Sequence, residues 1–123
     1  MLAEIERLYL DDKFVVEHVP NSKRYNRAES LLSYIVKHST VLATKKSDER
    51  NRENAVEVAL WSRNPRGQGC GLYVVVRLFF EKETSSRPYW GELFCFYDGS
   101  DKSPCLRSCE NARAYARNNG YGE

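Results

Sequence analysis

The chain has 123 residues, with 19 Lys and Arg against 17 Asp and Glu, 41% hydrophobic and 12% aromatic residues. That mixture suits one compact domain over 1–123 and excludes a wholly disordered chain. The longest apolar run, Leu72 to Phe80, is interrupted by Arg77 and falls far short of the roughly 20 residues of a membrane span.

The opening segment places Leu2, Ile5, Leu8 and Tyr9 three to four residues apart, which predicts a short first helix. Glu4, Glu6, Arg7, Asp11 and Asp12 interrupt it, so it does not read as an export signal. A cytoplasmic setting is therefore expected, with Cys70, Cys95, Cys105 and Cys109 reduced and acting as small buried hydrophobes. Zinc ligands usually come in tight pairs, and only His18 and His38 add to the four cysteines, so no metal and no cofactor is expected.

Phe14-Val15-Val16 predicts a brief extended segment, ended at Pro20 and placed at a sheet edge. A second helix is predicted over about 24 to 42, with Ala28, Leu31, Leu32, Ile35 and Leu42 along one side. Residues 43 to 54 are charged and lack an apolar period, which predicts an exposed, mobile loop. From residue 55 the period changes to two, and three strands follow: Ala55 to Trp61, Cys70 to Phe80, and Tyr89 to Tyr97. Ser103 and Pro104 read as the start of a third helix, with Gly120 as its terminal cap. The fold expected is α+β, an antiparallel β-meander of three to four strands with helices packed mainly on one face, in the order α-β-α-β-β-β-α.

Turn positions set a trial register. Pairing Trp61 with Tyr73 and Phe80 with Tyr89 brings Glu57 and Glu92 to either side of Arg77. One sheet face then carries Trp61, Tyr73, Phe79, Trp90, Phe94 and Phe96 around that charged triad. The other carries aliphatic residues, with Cys95 among them. If the helices cover only the aliphatic face, the aromatic face is an exposed apolar patch of the kind that marks an interface.

That patch directs the functional reading to a small protein-binding module, an inhibitor or modulator that occupies a partner's surface. Phage accessory and immunity proteins commonly have this size and lack of motifs. The expected anchors are Trp61, Tyr73, Arg77, Trp90, Glu92 and Phe96, since Trp, Tyr and Arg dominate interface energies. The alternative partner is nucleic acid. Residues 23 to 66 hold ten Lys or Arg against five Asp or Glu, and Lys23, Arg24, Arg27, Lys45, Lys46, Arg50, Arg52 and Arg66 are the candidate phosphate contacts.

No enzyme is expected. Asp11-Asp12-Lys13 falls at a helix end rather than on a strand. Gly67, Gly69 and Gly71 sit in a hairpin turn, where positive φ explains them without phosphate. Glu57 and Glu92 face an arginine that keeps both ionised, which suits structure better than proton transfer.

Overall fold

The computed structural model describes residues 1–16, 28–46, 54–64, 69–100 and 103–122. Two amphipathic helices come early, α1 (Leu2–Leu10) and α2 (Ala28–His38), with a three-residue strand, β1 (Phe14–Val16), between them. Their apolar residues recur every three to four positions, so Ile5, Leu8, Leu31, Leu32 and Ile35 are all buried on the inward faces. Four longer strands follow: β2 (Thr40–Lys46), β3 (Ala55–Ser62), β4 (Leu72–Phe79) and β5 (Trp90–Tyr97). The described elements end with α3 (Cys109–Asn118).

The strands form one sheet in the order β1-β5-β4-β3-β2. β1 runs parallel to β5, and every other neighbouring pair is antiparallel. The fold is thus α+β, but with a five-stranded mixed sheet in place of a purely antiparallel meander. β4 lies in the middle and is apolar on both faces, as its run of Val, Leu and Phe requires.

The expected second helix is too long and the expected loop too wide. The helix stops at His38, and Thr40–Lys46 is an edge strand paired with β3, so Leu42 and the stretch from Ala43 to Lys46 belong to β2. Two features hide this strand. Its lysines are what a free sheet edge carries to discourage further pairing, and a bulge between Val41 and Ala43 breaks its alternation. Leu42 and Ala43 consequently both pack on the same side of the sheet. Residues 47–53 of the expected loop, and Pro20, lie outside the described residues.

The helices also do not gather on one face. α1 and α2 pack under the face that carries Val58, Leu60, Val74, Val76, Leu78 and Leu93. α3 lies on the opposite face over β2 and β3, where Ala112 and Ala116 meet Ala59, Trp61, Tyr73 and Val75. Size complementarity explains the choice. The large rings of that face fill most of the interlayer space, so only a helix with a small-residue stripe comes close enough to exclude water.

α3 starts later than the Ser103-Pro104 pair suggests. Its cap is Ser108, whose Oγ accepts from Asn111 N at 3.1 Å. The preceding segment is held extended because the Leu106 carbonyl accepts from both Gly71 N (2.8 Å) and Trp61 Nε1 (3.1 Å). Gly71 has to be glycine for this contact, since a Cβ there would stand 2.5 Å from Trp61 Nε1. At the far end Gly120 takes φ +90° and donates to the Arg117 carbonyl, the terminal cap that the sequence indicated.

Two of the four cysteines expected to be reduced are joined. Cys70 and Cys105 form a disulfide with a Cα–Cα distance of 4.9 Å, while Cys95 and Cys109 remain free thiols. Among the described residues no helix is long and apolar enough to cross a membrane.

Candidate functional site

The centre of the α3-side face is a buried ion cluster. β3 and β4 pair with Glu57 opposite Arg77, and β4 and β5 with Arg77 opposite Glu92, so the three side chains form one row across the sheet. Arg77 Nη1 donates to Glu92 Oε1 at 2.8 Å and Nη2 to Glu57 Oε2 at 3.5 Å. All three side chains are only 10–11% exposed. The guanidinium also lies 4.2 Å from the centre of the Phe94 ring. Tyr121, just past α3, donates its hydroxyl to Glu57 Oε1 at 2.7 Å. Two carboxylates against one guanidinium leave the row with one net negative formal charge, spread over the bonds to Arg77 and Tyr121.

Beside it, under the C-terminal end of α3, is a pocket of about 250 Å³ whose lining includes four tyrosines. Tyr73 and Tyr97 are stacked at 6.0 Å, and Tyr115 from α3 stands edge-on to both, at 5.2 and 6.3 Å. The Cys95 thiol shares a hydrogen bond with Tyr97, which in turn bonds Tyr115. Lys45, on β2, closes one side: its ammonium donates to the Asn119 carbonyl at 3.1 Å and lies 4.5 Å over the Tyr121 ring.

Most groups with displaced titration line this one pocket. Burial pushes the Tyr73 phenol well above its ordinary value, and burial followed by the hydrogen bond to Glu57 does the same to Tyr121. Tyr97 is pushed up to about 12, first by its bond to Cys95 and then by that thiol's charge and by burial. Burial also raises the Cys95 thiol. The pocket therefore presents neutral phenols and a neutral thiol at physiological pH.

The six expected anchors divide. Arg77 and Glu92 form the ion cluster, and Trp90 lies half-buried on the same face. Trp61 and Tyr73 are 4% and 2% exposed beneath α3, so they pack the core and offer no surface to a partner. Phe96 points to the opposite face, against the α1 and α2 cluster. A bulge in β5 is the cause: Arg77 pairs with Glu92 as expected, but beyond Val76 the register shifts by one, so Val75 faces Cys95 and Tyr73 faces Tyr97. Tyr97 takes the place expected of Phe96 opposite Tyr73, and Cys95 takes the place opposite Val75, whereas Phe94 stays on the α3 side.

Of the basic candidates, Lys45 is engaged at the end of α3 and Lys46 pairs with Glu83 at 3.2 Å. Lys23, Arg24, Arg27, Arg50, Arg52 and Arg66 lie outside the described residues, as does His18. Among the described residues no group of three or more His, Cys, Asp or Glu is placed to hold a metal ion.

A second feature lies at the β1 edge. The exposed large hydrophobics among the described residues are Met1, Leu10, Val15 and Tyr89, the last three 74%, 40% and 47% exposed. Val15 pairs with Glu92 and so lies on the α3 side of the sheet with Trp90, whereas Leu10 lines a groove between α1 and α2 with Tyr9, Glu29 and Val36. Gly91 N donates to the Lys13 carbonyl at 3.0 Å, joining β5 to the chain between α1 and β1. Arg7 Nη2 reaches the Pro88 carbonyl at 2.7 Å, and Arg87 Nε bonds Glu4 Oε1 at 2.8 Å. Hydrogen bonds from Arg87 and Arg7 hold the Glu4 carboxyl below its usual range. No sequence pattern marks this edge, because Val15 and Trp90 come to one face only when β1 pairs with β5.

Comparison of the chain with protein-family models, curated proteins and solved structures finds no match in any of the three.

Proposed function

We propose that this chain is a protein-binding module, an inhibitor or modulator that acts by occupying a partner's surface, and that its contact surface is the edge formed by β1 and the start of β5. The observation that carries the reading is that α3 lies over β2 and β3, at the far end of the sheet from β1, while Val15, paired with Glu92 and 40% exposed, and the half-buried Trp90 share the β1–β5 end of that face. Single exposed apolar residues need no explanation, but apolar residues that share one sheet face do. Trp90, which precedes Gly91 on β5, supplies that end with an aromatic.

A catalytic role draws no support from Glu57 and Glu92, which both bond Arg77, Glu57 also accepting from Tyr121. Of the contacts expected for nucleic acid, the described ones already have partners, Lys45 in the Asn119 carbonyl and Lys46 in Glu83 at the surface, and neither marks a phosphate site. The Cys70–Cys105 bond argues against the reducing cytoplasm expected from the sequence.

The test is affinity capture from the native source, with and without nuclease, of the natural chain and of a Val15→Lys variant. Lysine suits the site, since Val15 is 40% exposed on an edge strand, where lysine is well tolerated. A stoichiometric protein that survives nuclease and is lost by the variant supports the reading. Recovery that the variant leaves unchanged, or that nuclease abolishes, overturns it.

A further inference from the structure

The tyrosine-lined pocket under α3 has a polar inventory that selects its ligand. Its one carboxylate, Glu57, already accepts from Tyr121 at 2.7 Å and from Arg77 at 3.5 Å. What is left over is donor capacity. The Lys45 ammonium carries three protons, and its hydrogen bond to the Asn119 carbonyl uses one. Tyr97 and Tyr115 hold hydroxyls at the same pocket, protonated across the physiological range in the case of Tyr97. The walls are aromatic, with Tyr115 perpendicular to the Tyr73 and Tyr97 pair, so a flat ring meets both faces and edges. At about 250 Å³ the space lies below the usual range for drug-sized ligands and suits a single ring with a substituent.

We propose that this pocket binds a small aromatic carboxylate, its ring among Tyr73, Tyr97 and Tyr115 and its anionic group on Lys45. The charge at the mouth decides against an ammonium ligand, which would meet Lys45 head-on. Glu57 has both oxygens bonded, one to Arg77 and one to Tyr121, and the formal charges of Glu57, Glu92, Arg77 and Lys45 sum to zero, so Lys45 faces the anion without a net opposing charge. The site is separate from the β1 and β5 edge, so this inference does not rest on the protein-binding reading. It gives the chain a place where a metabolite adjusts the docking of α3, since the same ligand would touch β2, β5 and the helix together.

Cys95 supplies an internal reporter, because it lines the pocket while the other free thiol, Cys109, does not. The experiment titrates the folded protein with benzoate, benzamide and benzylammonium by calorimetry, and follows alkylation of both thiols by mass spectrometry. Benzoate is expected to bind at least about tenfold more tightly than the other two, a difference equivalent to one charge-assisted contact. It should also slow alkylation of Cys95 several-fold and leave Cys109 unchanged. Lys45→Met should weaken benzoate by about tenfold, and Lys45→Arg should retain most of the affinity, which separates loss of charge from loss of fold. Three results would overturn the proposal: no binding of benzoate at millimolar concentrations, equal binding of all three probes, or binding that leaves Cys95 unprotected.

Discussion

Replacing Arg77 by methionine tests whether the ion cluster is buried in the energetic sense. Methionine refills most of the arginine volume, so the main cost is charge: Glu57 and Glu92 would remain in the sheet without their shared cation. Each side chain is about one-tenth exposed, which leaves little water to screen them. Removing one partner of a buried pair typically costs about 3–5 kcal/mol. Tyr121 still donates to Glu57 in the variant, so the lower end, about 3 kcal/mol, is expected. That is a large share of the roughly 5–15 kcal/mol that holds an ordinary domain together. In urea, with a slope of about 1.5 kcal/mol per molar, the midpoint should fall by about 2 M. The triple variant Glu57→Gln/Arg77→Met/Glu92→Gln removes all three charges and should recover most of that loss, because the amides are cheaper to bury than unpaired carboxylates. A loss below about 1 kcal/mol for the single variant, or a triple variant no more stable than the single, would refute the account.

Alkaline pH should destabilise the fold. Tyr73, Tyr97 and Tyr121 all have raised folded values, so the folded state binds protons that the unfolded state releases. Their contribution is complete below the unfolded phenol value of 10.0 and is lost as pH rises through about 12 for Tyr97 and beyond it for the other two. Ultraviolet titration should therefore show three of the eight tyrosines ionising together with unfolding, and stability that rises above pH 10 would contradict this. The Cys70–Cys105 bond closes a loop of 35 residues, for which chain entropy gives about 4 kcal/mol. Paired serine substitutions should lower the unfolding free energy by up to that amount in oxidising buffer and have no further effect under reductant.

Local chemistry in the sequence was enough to place β3, β4 and the first part of β5 in register. The charged row is the reason, since Glu57, Arg77 and Glu92 satisfy one another only in that alignment. Gly120 was readable as a helix cap for an equally local reason, its positive φ. What stayed hidden depends on events without a residue signature. The bulge in β5 adds one residue, Phe94, and so moves Phe96 away from α3 and brings Cys95 and Tyr97 toward it. The bulge in β2 made an edge strand look like the end of a helix followed by a charged loop. The position of α3 depended on matching small helix residues to large sheet residues. Ala112 and Ala116 carry that signal, but it does not say which face they meet. Trp61 and Tyr73 were therefore read as a surface when they are core.

The parallel pairing of β1 with β5 has a consequence for the order of folding. Phe14 must find Gly91, with the whole of α2, β2, β3 and β4 between them in the chain. Loop closure over such a distance is entropically costly before the intervening strands have shortened it. During synthesis β1 emerges long before its partner, and its two valines have nothing to pair with until β5 is made. Loop entropy therefore favours the hairpins of β2 to β5 as the early platform, with the first strand in the chain docking last. The edge assigned to partner binding is thus completed only when the rest of the sheet has folded, so an incompletely folded chain lacks that surface.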